Sequence, residues 1–257
     1  MNADELRRAW LAEEDRAHMR GWDFSHIEGR YSQKDDFPWD YREIVLSELK
    51  DEDRLLDTDT GGGEFLLSLG HPASRTAATE GWPPNAALCR EKLLPLGIDF
   101  RAANDCAALP FGDGEFDVVI NRHGDFDPAE LWRVLKPGGR FITQQVGDEN
   151  DRELVQLLLP DVPKPFPGMN LATQRARFEA AGFEILRAGE CFRPIRFYDI
   201  GALVWFARII EWEFPGFSVD ACFDRLLEAQ RVLERDGAVS GMIHRYLIAA
   251  RKPAGAK

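Results

Sequence analysis

The feature that most constrains this fold is a glycine-rich turn between a short apolar run and a helical stretch. The run 54–57 (RLLD) ends on an acid, residues 58–63 read TDTGGG, and residues 64–69 have a helical pattern. Such a turn joins the carboxyl end of a buried strand to a helix, and its glycines let a ligand approach the backbone closely. The segment therefore predicts a strand, a ligand-accessible turn and a helix. A tight connection without a ligand would have the same pattern.

The alternation of short apolar runs with helical stretches continues along the chain. Six further strands are predicted at residues 76–80, 98–103, 116–121, 140–146, 183–189 and 243–250, and further helices at 84–96, 128–135 and 171–181, with KPGG at 136–139 ending a helix. Strands that alternate with helices are typical of βαβ units and a parallel sheet. The predicted fold is α/β, a Rossmann-like, doubly wound, mostly parallel seven-stranded sheet with helical cap segments.

The length of 257 residues allows one substantial core, so we predict one α/β domain with added segments. Residues 1–50 are predicted to form an amino-terminal helical cap, and residues 51–257 the main domain. Two amphipathic stretches predict a cap insertion at about 192–240. Aromatic residues concentrate in both caps, where they either line an acceptor pocket or hold the cap to the sheet. Residues 21–41, which include Trp22, are predicted to order over a bound ligand.

Composition narrows the class of protein. With 44 acidic and 32 basic residues the net charge is −12, which argues against nucleic acid as a partner because the surface on average repels phosphates. No run approaches the roughly 20 apolar residues of a membrane span, so no membrane association is expected. The charged amino-terminal sequence lacks the pattern of a secretory signal, which predicts a cytoplasmic location. The four cysteines lack metal-ligand spacing, so they are interpreted as reduced and no metal site is predicted.

A second acid supports the ligand interpretation of the glycine turn. Glu80 ends the predicted strand that follows the turn. A carboxylate at this place accepts two hydrogen bonds from ribose hydroxyls in nucleotide-binding folds. A solvated acid at a strand end is the alternative.

At this point the sequence resembles the class I S-adenosylmethionine-dependent methyltransferases, especially the group called methyltransferase type 11. Three ordered blocks within about residues 54–146 carry the resemblance: LLDTDTGGGE, ALPFGDGEFDVVI and LWRVLKPGGRFITQQV. The second and third blocks have no role in a nicotinamide dehydrogenase. The resemblance implies an enzyme that binds S-adenosyl-L-methionine and transfers its methyl group to a small-molecule acceptor.

The resemblance also implies a set of cofactor-binding residues: Asp57, Asp59, Thr60, Gly61, Gly63, Glu80, Gly81, Trp82, Asp105, Cys106 and Asn121. In this set Asp57 would orient the glycine turn and the amino acid end of the cofactor, while Gly61 and Gly63 would pass beneath it. Glu80 would hold the ribose. Asp105 would accept a hydrogen bond from the adenine amino group, and the backbone of Cys106 would meet the edge of the ring. Trp82 would either lie against the adenine or pack against a helix.

Asp59 departs from the family pattern, because it stands where the family has its first glycine. A carboxylate here would crowd the cofactor, repel its carboxyl group or face its sulfonium. Aspartate tolerates the left-handed backbone region better than most residues, so the turn itself can persist. We expect the substitution Asp59→Gly to keep or tighten cofactor binding.

Few catalytic residues are expected, because methyl transfer from a sulfonium chiefly requires the acceptor to be held in line. The candidates Arg122 and His123 follow Asn121 at the carboxyl end of the fourth predicted strand. His123 is interpreted as a general base or an acceptor anchor, with a structural imidazole as the alternative. Arg122 would pair with an acceptor carboxylate or with nearby acids. Of Gln144 and Gln145, one is predicted to face the pocket unless both form a polar pair beside the sheet.

Two alternative functions stay open from the sequence. One is a non-catalytic S-adenosylmethionine-binding or regulatory protein, which Asp59 suggests. The other is an RNA methyltransferase, against which the net charge and the lack of an N-P-P-aromatic motif both argue. The sequence determines neither the acceptor nor the oligomeric state.

Overall fold

The protein is described from a computed structural model, which covers residues 1–18 and 23–255. The chain divides into two compact units, each built from separate stretches of sequence. We name them the sheet unit (Pro38–Gly147, Gly168–Glu190 and Arg245–Lys257) and the segmented unit (Met1–Phe37, Asp148–Pro167 and Cys191–His244).

Helices and strands alternate along most of the chain. The helices are α1 (Ala3–Asp15), α2 (Tyr41–Glu48), α3 (Glu64–Ser68), α4 (Pro83–Lys92), α5 (Pro128–Val134), α6 (Arg152–Leu158), α7 (Leu171–Ala180), α8 (Ile200–Ile209) and α9 (Phe223–Asp236). The strands are β1 (Tyr31–Gln33), β2 (Leu55–Thr58), β3 (Thr76–Glu80), β4 (Asp99–Ala102), β5 (Phe116–Arg122), β6 (Leu135–Val146), β7 (Glu184–Phe197) and β8 (Val239–Arg251).

Among the described residues the sheet has eight strands, one more than the seven predicted, in the order β1-β7-β8-β6-β5-β2-β3-β4. Pairing is parallel from β6 through β5 and β2 to β3 and β4, and antiparallel between β6 and β8. The predicted Rossmann-like, mostly parallel sheet is therefore confirmed. Because β2 lies between β3 and β5, the strand order reverses direction at β2, and open α/β sheets bind ligands beside the carboxyl ends of strands at such a point.

Alternating side chains of the central strands supply the cores on both faces of this sheet. Leu55, Val118 and Ile120 belong to one buried cluster, to which α2, α3 and α4 also contribute side chains. Leu56 and Val119 belong to a second cluster, which includes side chains of α5 and α7. Apolar residues on both faces explain why β2 and β5 are apolar runs rather than alternating ones, and helices on both faces make the sheet doubly wound.

β6 is longer than predicted. The sequence predicted that KPGG at 136–139 ends a helix and that the strand begins at Arg140, but β6 begins at Leu135. The amide of Gly138, a residue with φ of 84°, donates to the carbonyl of Lys252, and the amide of Lys252 donates to the carbonyl of Gly139. These bonds extend the ladder, and the pairing of β5 with β6 shifts register between Phe116 and Val118.

The segmented unit has a core of its own, formed largely by α8. This helix is apolar, and nine of its ten residues are buried. Side chains of α1, α6 and α9 join the same cluster. The short strand β1, which was not predicted, pairs antiparallel with the last residues of β7. Both segments predicted as caps, 1–50 and about 192–240, contribute to this unit, and residues 148–167 join them.

The stretch 38–50 belongs instead to the sheet unit. The hydroxyl of Tyr41, the first residue of α2, donates to the backbone carbonyls of Asn121 and Ile142 at 3.0 and 3.1 Å. These bonds and the burial of Val45 pack α2 against the sheet. Residues 21–41 were predicted to order over a ligand. Two of them, Gly21 and Trp22, lie outside the described residues. None of the helices within the described residues is both long and apolar enough to cross a membrane.

Candidate functional site

The carboxyl end of β2 carries a buried acid. Asp57 is 4% exposed, and its carboxylate accepts a 2.6 Å hydrogen bond from the hydroxyl of Thr60. Burial raises the pKa of Asp57 to about 7, against the lowering effect of Thr60 and Arg122, and the charges of Asp59 and Glu80 raise it further. The acid predicted to orient the glycine turn therefore bonds to that turn, in an environment with excess negative charge.

The glycine turn and Glu80 are joined directly. The amide of Gly61 donates to one oxygen of Glu80, and the amide of Trp82 donates to the other, both at 2.8 Å. The amide of Thr60 also donates to the carbonyl of Thr79. Each carboxylate oxygen can accept more than one hydrogen bond, so Glu80 keeps acceptor capacity beyond these two bonds. Glu80 thus fixes the turn that precedes α3 to the end of β3.

The two glycines predicted to pass beneath a ligand have different surroundings. Gly61 has φ of 64°, and a Cβ atom built on it would meet nothing within 4 Å. Gly63 has φ of 80°, but a Cβ atom there would come within 3.0 Å of the side chain of Leu93. Gly61 therefore presents backbone to open space, whereas Gly63 allows close packing of the turn against Leu93.

The loop after β4 lies against the end of β3. A Cβ atom on Gly81 would come within 2.7 Å of the backbone of Asn104, so only glycine fits there. Asp105 is exposed and accepts a hydrogen bond from the amide of Ala107 at 2.9 Å. Trp82 is 56% exposed, which does not fit the alternative of a helix-packing tryptophan. Burial, followed by the charges of neighbouring aspartates, raises the pKa of the Cys106 thiol.

Asn121 at the end of β5 lies at the centre of a buried polar network. Its side-chain amide donates to the carbonyl and hydroxyl of Thr58 and to the carbonyl of Asp125. Its side-chain oxygen accepts a hydrogen bond from Gln145, which also donates to the carbonyl of Gly124 at 3.0 Å. Asn121 therefore ties β2, β5 and β6 together at their carboxyl ends.

His123 is held by β6 and by a second glutamine. Its backbone amide donates to the carbonyl of Gln144, and its Nε2 lies 3.4 Å from the side-chain nitrogen of Gln144. The indole of Trp39 donates to the side-chain oxygen of Gln144 at 2.8 Å. The residue itself is exposed at the surface, but partial desolvation of its ring, followed by the charges of Arg245 and Arg122, lowers the pKa of His123 to about 3. The imidazole is therefore neutral at neutral pH, and its pKa is not the near-neutral value the sequence suggested for a general base.

Arg122 contacts an aromatic ring rather than the acids that the sequence offered. Its guanidinium carbon lies 4.6 Å from the centre of the Phe65 ring. Within the part of the chain that the structure describes, none of the ion pairs includes Arg122. Its charge still lowers the pKa of Asp57. Arg122 is thus a stacked cation beside a group of carboxylates.

Three further residues of this region had only general roles in the sequence analysis. Thr58 was predicted as part of the glycine turn, and Trp39 and Tyr41 as cap aromatics that either line a pocket or hold the cap to the sheet. The structure bonds all three to the ends of β5 or β6. The sequence did single out Gln144 and Gln145, and strand alternation sends them to opposite faces, where Gln144 meets His123 and Gln145 meets Asn121.

Comparisons with known proteins show which family the sequence and the fold resemble. Residues 56–143 match the family model of a methyltransferase domain. The chain is 35% identical over 136 residues to demethylmenaquinone methyltransferase from Thermus thermophilus, an overlap of 46% of this chain and 62% of that protein. It is 32% identical over 114 residues to sterol 4-C-methyltransferase strm-1 from Caenorhabditis elegans, over 40% of this chain and 34% of that protein. The chain thus spans less than two thirds of the length of either relative.

A solved structure supports the fold. The structure of a candidate methyltransferase from Bacillus halodurans C-125 superposes with a TM-score of 0.59 at 19% identity, over 83% of this chain and 99% of that chain. At this identity the likeness concerns the fold alone. Together with the family model, it confirms the resemblance to class I methyltransferases that the three sequence blocks indicated.

Proposed function

We propose that this protein is an S-adenosyl-L-methionine-dependent methyltransferase that acts on a small-molecule acceptor. The observation that carries the proposal is the group of carboxylates at the carboxyl ends of β2 and β3, beside the open face of Gly61. Burial raises the pKa of Asp57 to about 7, and the nearby charges of Asp59 and Glu80 raise it further. Such a group favours a cationic ligand and opposes a diphosphate, which argues against a nicotinamide dinucleotide.

The residues present fit S-adenosylmethionine, whose sulfonium and ammonium groups are both positive. Glu80 keeps free acceptor capacity for ribose hydroxyls, and the exposed indole of Trp82 is available to an adenine face. Asp105 and the backbone of Cys106 also belong to the predicted cofactor set. They stay proposed contacts for the adenine, because the family resemblance implies them. When bound, the cofactor supplies an activated methyl carbon and its leaving group.

The chemistry left to the protein is mainly positioning. The end of β5 offers a neutral imidazole on His123 and a stacked guanidinium on Arg122. A neutral imidazole with a strongly lowered pKa is a weak proton acceptor, so we assign His123 to binding the acceptor by a hydrogen bond rather than to removing its proton. Small-molecule acceptors are also the substrates named for the menaquinone and sterol methyltransferases to which the chain is similar. A cytoplasmic location stays a prediction from the sequence.

Isothermal titration calorimetry tests the cofactor, and an acceptor panel tests the reaction. We expect heat on titration with S-adenosylmethionine and with S-adenosylhomocysteine, and none with NAD. Incubation with the methyl-labelled cofactor and a panel of hydroxylated quinones, sterols, small phenols and total RNA should label a small molecule and not the RNA. Absence of binding to either form of the cofactor would refute the proposal. Binding without transfer to any panel member would favour the non-catalytic alternative, and labelled RNA would favour the RNA methyltransferase.

A further inference from the structure

Asp59, the residue that replaces the family's first glycine, has an unusual backbone conformation. Its φ is 53°, a left-handed value that non-glycine residues rarely adopt. Only two other non-glycine residues among those described share this property, and one of them is His123 with φ of 65°. Both follow the carboxyl ends of neighbouring parallel strands, β2 and β5. A left-handed residue that is not glycine persists where its surroundings hold it in place.

The surroundings that hold Asp59 are in the loop between β5 and α5. One carboxylate oxygen of Asp59 accepts a hydrogen bond from the backbone amide of Asp125 at 3.1 Å. A Cβ atom on Gly124 would lie 2.5 Å from the Cβ atom of Asp59 and 2.6 Å from its carboxylate, so the contact requires glycine at position 124. The aspartate that departs from the family pattern is therefore matched by a glycine on the opposite side of the contact.

Two further hydrogen bonds hold the same two residues of the loop. Asn121 donates to the carbonyl of Asp125 at 3.3 Å, and Gln145 donates to the carbonyl of Gly124 at 3.0 Å. Of the three bonds to residues 124 and 125, only the bond to Asp59 comes from the glycine turn. The bonds from Asn121 and Gln145 fix the loop to β5 and β6, whereas the bond from Asp59 fixes it to the turn after β2.

The loop fixed in this way begins with the candidate catalytic residue His123, directly after Arg122 at the end of β5. Arg122 and His123 come directly before Gly124, and Asp127 begins α5 by accepting a hydrogen bond from the amide of Glu130. Movement of residues 124–125 would change the position of His123 relative to Gly61, because β5 ends at Arg122. A bond between the loop and the glycine turn holds that separation constant.

We propose that Asp59 is a positioning residue, whose carboxylate fixes the β5–α5 loop to the glycine turn and thereby sets the place of His123, next to Arg122, beside the cofactor. The part of this inference that concerns the cofactor rests on the proposed function. The contact between Asp59 and the loop does not. It differs from the expectation drawn from the sequence, under which Asp59 only crowds or faces the cofactor and Asp59→Gly keeps or tightens binding.

Two substitutions of Asp59 separate its hydrogen bond from its charge. Asp59→Asn removes the charge but keeps a side-chain oxygen that can accept from Asp125, and asparagine tolerates the left-handed region. Asp59→Gly removes the acceptor and relieves the backbone. Glu115→Gln and Glu115→Gly are matched controls, because Glu115 accepts a bond of the same kind from the amide of Gly112, next to the opposite, amino end of β5.

Hydrogen exchange by mass spectrometry on the full chain, with and without S-adenosylmethionine, measures the contact. Peptides covering residues 121–127 should exchange about ten times faster in Asp59→Gly than in wild type, while Asp59→Asn and both Glu115 variants keep wild-type protection there. The urea midpoint of Asp59→Gly should be unchanged or higher, because glycine suits the left-handed conformation. Faster exchange limited to this loop therefore cannot come from global destabilisation.

Calorimetric titration of the same variants with S-adenosylmethionine completes the test. We expect affinity to fall more in Asp59→Gly, which loses the bond and the charge, than in Asp59→Asn, which loses only the charge. Unchanged loop protection in Asp59→Gly would overturn the proposal. Equal loss of affinity in both variants, with protection kept in Asp59→Asn, would also overturn it, because the carboxylate would then act by charge. If wild type does not bind the cofactor, the proposed function fails, and the exchange data still decide whether Asp59 holds the loop.

Discussion

The carboxyl end of the central sheet has two halves that differ in chemistry. In the half formed by β2 and β3, Asp57, Asp59 and Glu80 crowd together, and the pKa values of Asp57 and Asp59 rise to about 7 and about 6, chiefly through burial. In the half formed by β5 and β6, Asn121 and the two glutamines form neutral hydrogen-bond networks.

The difference between the halves indicates that one half binds the cofactor and the other positions the acceptor. A group of desolvated carboxylates has unfavourable electrostatic energy that a cationic ligand relieves. Amide side chains whose donors and acceptors are satisfied hold strands and loops in place without titrating. The acidic half is therefore suited to gripping a charged cofactor, and the amide half to holding an acceptor in a fixed position. Five predictions test this contrast, from the largest expected effect to the smallest.

The largest effect is expected for Glu80, which belongs to the acidic half. Glu80→Ala should weaken S-adenosylmethionine affinity by about 100-fold, because hydrogen bonds to a charged group contribute about 1.5–3 kcal/mol each and the glycine turn also loses its acceptor. Calorimetry gives the dissociation constant. Glu91→Ala, at an exposed position of α4, is the control and should bind as wild type does. Unchanged affinity in Glu80→Ala would remove Glu80 from the cofactor site.

A second test compares two glycines with the same backbone conformation. Gly61 and Gly70 have φ of 64° and 68°, and a Cβ atom on either would meet nothing within 4 Å. Alanine at either position should cost about 1–2 kcal/mol of stability, because the left-handed region disfavours a Cβ atom. Only Gly61→Ala should also lose cofactor affinity, by about tenfold or more, since its methyl group enters the open space beside Glu80. Equal affinity of the two variants would show that no ligand approaches Gly61.

A third test uses pH to separate charge from shape. Asp57 and Asp59 have raised pKa values of about 7 and about 6, so both become charged as pH rises from 5 to 8. Affinity for the sulfonium form of the cofactor should rise several-fold over this range, because the charged carboxylates attract a cation. S-adenosylhomocysteine lacks the sulfonium charge and should show a shallower dependence. Parallel profiles for the two ligands would indicate that the carboxylates do not sense the sulfonium.

The same shifts affect the stability of the protein without ligand. A raised carboxyl pKa means that the folded state holds its proton more tightly than the unfolded state, so this contribution to stability is complete below about pH 4 and is lost as pH rises through about 7. Asp57→Asn should therefore gain stability relative to wild type across that range, as measured by urea midpoints. A constant difference would mean that Asp57 is not shifted.

The smallest effect is expected at His123. Its pKa is lowered to about 3, so the imidazole should stay neutral from pH 8 down to about pH 4. In a two-dimensional carbon–proton NMR titration, the signal assigned by its loss in His123→Asn should show no inflection near pH 6.5, the ordinary histidine pKa. A midpoint between pH 6 and 7 would restore His123 as a general-base candidate and would weaken the contrast between the two halves.

The local sequence predicted most of the sheet unit. β3 was predicted at its observed bounds, and the predicted bounds of β5 differ from the observed ones by one residue. Each of these strands is a short apolar run that is followed by an acid or a turn. Glu80 and the glycine turn were predicted as neighbours because the carboxyl ends of parallel strands meet at one edge of the sheet. Their direct bond, from the amide of Gly61 to Glu80, follows from that same rule.

The tertiary structure alone decided the contacts of the amide half and the role of Asp59. The lowered pKa of His123 depends on desolvation and on the charge of Arg245 in the distant strand β8, which no local pattern encodes. The bond from Asp125 to Asp59 joins residues on different strand ends, and Gly124 permits it only because the two loops approach within contact distance.

The sequence by itself determined the parallel sheet, the position of the glycine turn and the acids beside it, because strand periodicity and turn chemistry are local properties. Only the tertiary structure assembled the segmented unit, which draws residues 1–37, 148–167 and 191–244 into one core. Burial of apolar surface is not directional, so an apolar helix such as α8 predicts that it will be covered but not which distant segments will cover it.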